Sequence, residues 1–255
     1  MDIVPFILER LEAARRAGRE RILLGVCGRA GSGKTTLARR IVRALKRAGT
    51  DALRYSGDWR FVHDSPSRKR LLEESAKDGL SAYLASLDQR RWWDFEAVRR
   101  DLRALTDGNG VTLAQAYDRE TGLKVKPVRL PALRRGVVLY ENAILGGSDL
   151  LRSLDAILLL RTPDAVCLRR ILKKDAGRRT GPEIAARYLV TTRSENEFFG
   201  MLRRYSGKLV TCDDRGMFAG TPGRPPLAFL PVPEKLLQVP ARKRKILERE
   251  GLPLS

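Results

Sequence analysis

Cysteine and histidine are scarce in this chain. Cys27, Cys167 and Cys212 are too few and too far apart for a disulfide framework, and they read as buried or half-buried thiols of a reducing compartment. His63 is the single histidine, so no zinc-binding cluster of the usual kind can be assembled. No apolar run approaches the roughly 20 residues that span a bilayer. The first residues, "MDIVPFILERLEAARRAGRE", mix acids and bases on a helical pattern and do not read as a secretion signal. The expectation is a cytoplasmic protein with no membrane partner. Acidic residues are also in deficit, with 30 Asp and Glu against 50 Lys and Arg and a net charge of +20. That charge makes nucleic acid a partner worth testing. The basic residues are nonetheless spread along the chain, and no RNA-binding or helix-turn-helix signature accompanies them. Nucleic acid therefore ranks below an anionic small molecule, because phosphate ligands also call for positive charge.

What is present is a normal core. An apolar fraction of 43% over 255 residues is ordinary for a globular protein. Residues 5 to 19 follow an amphipathic helical pattern, and "RILLGVCG" after them is the short apolar run of a buried parallel strand. A glycine-rich turn and a helix from Lys34 to Ala48, stopped by Gly49, come next. "GVVLYENAIL" (Gly136 to Leu145) and "LDAILLLRT" (Leu154 to Thr162) read as buried strands. "DALRYSGD" (Asp51 to Asp58) and "GKLVTCD" (Gly207 to Asp213) are two further candidates. Helical patterns run from Ser67 to Leu87, Phe95 to Leu105 and Pro163 to Lys174. Alternating strands and helices predict an α/β fold with a mostly parallel sheet flanked by helices. From residue 214 to 255 the composition turns to proline and glycine, which predicts an extended arm or tail appended to a domain of residues 1–213.

Gly28, Arg29, Ala30, Gly31, Ser32, Gly33, Lys34 and Thr35 satisfy G-x-x-x-x-G-K-[ST] between a strand and a helix, with Thr36 in the first helical turn. The glycines let backbone N–H groups turn inward around phosphate oxygens, and the helix N-terminus adds partial positive charge. Lys34 is placed to reach the β- and γ-phosphates and Thr35 to ligate Mg²⁺. ATP and Mg²⁺ are the implied cofactors. The loop alone does not distinguish hydrolysis, switching and transfer. A guanine-reading N-K-x-D is absent, and the D-x-x-G at Asp213 to Gly216 falls after the last predicted strand. "VVLYEN" offers one acid, Glu141, where a motor ATPase usually carries a pair. Transfer to an acceptor remains.

Several segments then resemble, in order, the uridine kinase and phosphoribulokinase family of P-loop small-molecule kinases. "YSGDWRF" sits where that family has an apolar strand followed by Asp and an aromatic. "LDQRRWWDF" keeps the spacing of the nucleoside kinases' "DHPDAFD". "AYDRETG" is similar to their "YDF" segment, and "VVLYENAIL" to an apolar strand ending in Glu-Gly. "LRRILKKDAGRRTG" resembles a basic lid, over about residues 173–181, and "RYLVTTRSENEFF" the helix after it. The similarity covers roughly residues 20 to 213. It implies the P-loop NTPase fold of nucleoside and nucleotide kinases and an ATP-dependent phosphotransferase with a small-molecule hydroxyl acceptor.

Carried over residue by residue, the resemblance implies Asp58 as the general base and Glu141, with Thr35, as the Mg²⁺ ligand. Lys173 and Arg178 become lid cations that act on the transferring phosphoryl group beside Lys34. Phe61, Asp88 and Tyr117, with Asp58, would line the acceptor site. The acceptor motifs also depart from the nucleoside kinases. Arg119 stands where they place an aromatic ring and Gly122 where they place a histidine; apart from the acceptor motifs, Asn142 stands where the resembled strand end has glycine and adds a side chain near the nucleotide. The acceptor is thus a nucleoside bound differently or another polar or anionic hydroxy compound. A nucleic-acid-associated ATPase ranks below both, and homo-oligomerisation stays open.

Overall fold

The computed structural model describes residues 3–175 and 181–217. In chain order it contains α1 (Ile3–Arg16), β1 (Arg21–Gly28), α2 (Lys34–Arg47), β2 (Ala52–Ser56), α3 (Ser65–Lys77), α4 (Leu80–Ser86) and α5 (Phe95–Thr106). These are followed by β3 (Val111–Tyr117), β4 (Lys124–Leu130), β5 (Gly136–Glu141), α6 (Ser148–Ser153) and β6 (Ala156–Leu160). Helices α7 (Asp164–Asp175) and α8 (Gly181–Leu202) and strand β7 (Leu209–Cys212) complete the described chain.

Strand β1 lies at the middle of a five-stranded sheet of order β2-β5-β1-β6-β7, and every pairing in it is parallel. A parallel sheet is stable only with both faces covered, and alternation along β1 supplies the two faces. Ile22, Leu24 and Val26 pack with Ile7 and Leu11 of α1 and Leu37 and Ile41 of α2. Leu23 and Cys27 face the other way, toward Val98 and Leu102 of α5 and Phe198 and Leu202 of α8. The two cores hold the strands in register, and all five strands end along one carboxyl edge.

Five expected strands are present in order; β1 fills its whole apolar run, and the other four are shorter than the runs that announced them. The helix expected from Ser67 to Leu87 is two helices, because Gly79 at φ 106° breaks it between α3 and α4. The antiparallel hairpin β3–β4 is an addition to the expected fold, separate from the main sheet. Its second strand, "KVKPVRL", carries three cations and a proline and shows no apolar run. After β7 the chain turns at Asp213 to Met217, where the Gly216 carbonyl accepts the Ile3 N–H at 3.2 Å. Arg178 and the arm beyond residue 217 lie outside the described residues. Among the described residues, no helix is long and apolar enough to cross a membrane.

Candidate active site

Positive φ angles at Gly28 (151°), Gly31 (78°) and Gly33 (99°) bend the loop after β1 back over the start of α2. At Gly31 no side chain fits, since an added Cβ would lie 2.5 Å from the Cys167 carbonyl of α7. Gly33 caps α2 without a side-chain hydrogen bond, so the first amides of the helix are left for an anion. Lys34 Nζ folds across the loop and donates to the Gly28 and Arg29 carbonyls, each at 2.8 Å. The Ser32 hydroxyl is buried with no protein partner, and Thr36 is exposed on the first helical turn. The residues present suit a polyphosphate: a glycine cradle, an uncapped helix start and one lysine at its lip.

Glu141, the last residue of β5, has Ser56 of β2 beside it in the parallel register. Ser56 Oγ donates to its carboxylate at 3.0 Å, Arg54 Nη1 at 2.6 Å and Thr35 Oγ1 at 3.0 and 3.2 Å. Burial and then the nearby Asp58 charge push the Glu141 carboxyl above the usual range, against Arg54 and Lys34. A hydroxyl and a carboxylate side by side at the phosphate end of the loop are hard oxygen donors of the kind Mg²⁺ takes together with phosphate and water.

Asp58 sits in a 3₁₀ turn (Gly57–Arg60) directly after β2, at the same carboxyl edge. That turn is bolted to α5. Arg60 makes a forked pair with buried Asp101, Nε at 2.7 Å and Nη2 at 2.8 Å, and Tyr55 Oη donates to the same carboxylate at 2.5 Å. Gly57 has no room for a side chain, because a Cβ there would lie 2.4 Å from Asn142 Nδ2. Asn142, which replaces the family's glycine, is buried against this turn rather than projecting toward a nucleotide. From the β3–β4 turn Arg119 places its Nε 3.3 Å from Asp58 Oδ2.

The sheet edge therefore brings together Lys34, Thr35, Glu141 and Asp58. Phe61 and Tyr117 join them from the side, with rings 4.8 Å apart and Tyr117 Oη 2.9 Å from Ser65 Oγ. Asp88 is committed elsewhere. Its carboxylate caps the Gln89–Arg91 turn and is forked by Arg90 at 2.9 Å, with its carboxyl held low despite burial. Arg29 contributes backbone to the loop, but its guanidinium turns away to Asp164 and to Asn196 Oδ1 at 2.7 Å. Lys173 is exposed on the last turn of α7. Its helix neighbour Arg170 is the cation that reaches the loop, 3.3 Å from the Ser32 carbonyl and 2.5 Å from Asp214.

Sequence reasoning passed over Arg170 because it stands in a run of like charges, where helical phase alone decides which residue faces the loop. It also passed over Glu195. That carboxylate, fully buried on α8, accepts the Ala30 N–H of the phosphate loop at 2.9 Å and is pushed up to about 7 by burial. Lys34, the Ala30 N–H and Arg29 oppose that shift.

A family model described as the Phosphoribulokinase / Uridine kinase family matches residues 23–192, which contain every one of these groups except Glu195, Asn196 and Asp214. The chain belongs to this family of kinases. A bifunctional alpha-galactosidase/sucrose kinase of Mediterraneibacter gnavus is 26% identical over 199 residues, 76% of this chain. The chain spans only 20% of that relative's length. A uridine kinase of Leuconostoc citreum is 25% identical over 200 residues, with 76% of this chain and 88% of the relative covered. The solved D-glycerate 3-kinase of Cryptococcus neoformans superposes with a TM-score of 0.62 at 14% identity, over 86% of this chain and 97% of that one. Membership in the phosphoribulokinase / uridine kinase family thus accounts for the parallel sheet and the phosphate loop, and it supports a phosphotransferase.

Proposed function

We propose that the protein is an ATP- and Mg²⁺-dependent kinase that phosphorylates a hydroxyl of a small nucleoside-like or sugar-like acceptor in the cytoplasm. The observation that carries the reading is the meeting of Asp58, Glu141 and the neighbouring pair Lys34 and Thr35 at one sheet edge, from three separate segments of the chain. When bound, ATP supplies the γ-phosphoryl group and Mg²⁺ neutralises charge on its oxygens. The loop amides and Lys34 hold the phosphates, while Thr35 and Glu141 hold the metal and its water. Asp58 orients the acceptor hydroxyl and takes its proton as the oxygen bonds to the γ-phosphorus and the bond to the β-phosphate oxygen breaks, releasing ADP. Arg170 and the lid cations Lys173 and Arg178 close positive charge over the transferring group and exclude water.

Arg119, paired to Asp58, favours a second form of this reading, in which the acceptor is a non-nucleoside hydroxy compound. A base that must be uncovered, beside an arginine in place of an aromatic ring, suits a polar acceptor better than a stacked one. The net charge is the feature that favours a nucleic-acid-associated ATPase. Measuring ADP release and phosphorylated product across nucleosides, sugars, phosphosugars, DNA and RNA tests all three. Asp58→Asn is expected to lower transfer by about 10²–10⁴ with ATP affinity unchanged. Undiminished turnover in that variant would remove Asp58 from the mechanism, and stimulation by nucleic acid with no phosphorylated small molecule would sink the kinase reading.

A further inference from the structure

Arg68 of α3 is a charged side chain in an unusual position. It is only 6% exposed, and among the described residues no carboxylate pairs with it. Its guanidinium is caged by three rings, at 4.7 Å from the centroid of Phe61, 5.4 Å from Trp92 and 5.7 Å from Tyr117. One nitrogen, Nη2, donates to Ser65 Oγ at 3.3 Å. The other, Nη1, is buried without a hydrogen-bond partner. Aromatic faces stabilise a cation in place but do not satisfy its N–H groups, and a buried donor left unpaired is costly. Such a group is normally kept where something else completes it.

The surroundings say what completes it. Arg68 lines a cavity of about 430 Å³ between α3, α4 and the Trp92 turn, together with Arg91 and His63. Among the described residues, no acidic side chain lines that cavity. The same cage adjoins the transfer site: Phe61 lies three residues past Asp58, and Tyr117 leads into the turn whose Arg119 covers Asp58. Positive charge with apolar walls, next to a base for a hydroxyl, fits a small molecule with an anionic group at one end and a hydroxyl at the other.

We infer that Arg68 binds a carboxylate or phosphate of the acceptor, so that the substrate phosphorylated by this kinase is an anionic hydroxy compound. The inference rests on the phosphotransferase reading above and narrows its acceptor. Arg91, exposed at the cavity wall, adds a second and weaker contact to the same anion. Arg119 is the counter-charge that leaves Asp58 when the hydroxyl arrives.

The test uses the full chain with Mg²⁺ and ATP, and D-glycerate and ribose 5-phosphate against fructose and uridine as acceptors. The anionic pair is expected to show the higher kcat/KM. Arg68→Gln should raise KM for the anionic acceptor by about ten- to a hundredfold, the loss of a charge-assisted hydrogen bond, with kcat and the KM for ATP nearly unchanged. Arg68→Lys should recover part of the loss, and Arg91→Gln should raise the same KM several-fold. A purely packing role for Arg68 would lower stability and leave the acceptor KM alone, which overturns the inference. So would a neutral acceptor used equally well, an outcome that leaves the kinase reading standing. If Arg68→Gln does not fold, the acceptor ranking and Arg91→Gln decide. Calorimetric titration with D-glycerate and with ribose 5-phosphate supplies a readout independent of turnover. No binding of either anion, with no phosphorylated product from any acceptor, would end both readings.

Discussion

Asp101→Asn isolates the anchor that holds the Asp58 turn. The carboxylate accepts three hydrogen bonds, from Arg60 Nε and Nη2 and from Tyr55 Oη, and it lies 8% exposed on α5. An asparagine keeps the shape, but its single oxygen can serve Arg60 Nε and Tyr55 while its amide nitrogen faces the second guanidinium N–H, donor against donor. One hydrogen bond and the whole ionic attraction are lost. Breaking a buried pair costs about 3–5 kcal/mol. The Arg60 side chain is 30% exposed and regains some water, so a loss nearer 2–3 kcal/mol is expected. Asp58 lies two residues from Arg60 in the same short turn, so part of this loss becomes positional freedom at the base. Only about 1.4 kcal/mol of lost positioning lowers kcat tenfold. Denaturant unfolding should register the stability change, and steady-state kinetics a kcat at least about tenfold lower with an unchanged KM for ATP. A stability change below about 0.5 kcal/mol, with kcat intact, would refute the anchoring argument. Arg60→Lys, which loses the fork but keeps the charge, should fall between the two proteins.

Glu195, raised to about 7 from an ordinary carboxyl value of 4.5, protonates more readily folded than unfolded. Its contribution is fully present below about pH 4.5 and is lost as pH rises through about 7, on the order of 3 kcal/mol across that window. Glu195→Gln should therefore flatten the stability profile between those pH values in denaturant titrations, and an unchanged slope would contradict the buried, under-paired carboxylate. Gly31→Ala forces a Cβ to within 2.5 Å of the Cys167 carbonyl at a φ of 78°, so a loss of about 1–3 kcal/mol and weaker ATP binding are expected. Calorimetry that finds ATP affinity intact would show that the loop does not need its contact with α7. The thiols of Cys167 and Cys212 are both pushed up to about 12 by burial, and that of Cys27 is also raised. None should react with a disulfide reagent at pH 8 until the protein is unfolded, and rapid native labelling followed by mass spectrometry would contradict that packing.

The donor half of the site was legible because its chemistry is local. Gly28 to Thr35 is one contiguous turn between a buried strand and a helix, and the glycines, lysine and hydroxyl have to stand at fixed offsets there. The buried parallel strands were legible for a related reason: a strand covered on both faces prints an unbroken apolar run, as Ile22 to Cys27 does. Strand β4 prints no such run, since it is a half-exposed partner in a hairpin, and the break at Gly79 hid inside a helical pattern that continues on both sides.

The sequence by itself determined that a phosphate-loop motif follows β1, that a carboxylate follows β2 and that another ends β5. Only the tertiary structure decided which side chains face these groups. Ser56 stands beside Glu141 through strand register, and Arg54 and Thr35 reach the same carboxylate. Arg60 and Asp101 meet because α5 packs on the sheet, Glu195 reaches Ala30 across 165 positions of chain, and Asp88 is taken up by Arg90. Arg68 reads as one cation among fifty Lys and Arg until folding closes three rings around it. A charge on a helix prints only its type. Burial and the partners left to it belong to the packing of distant segments, which no local pattern records.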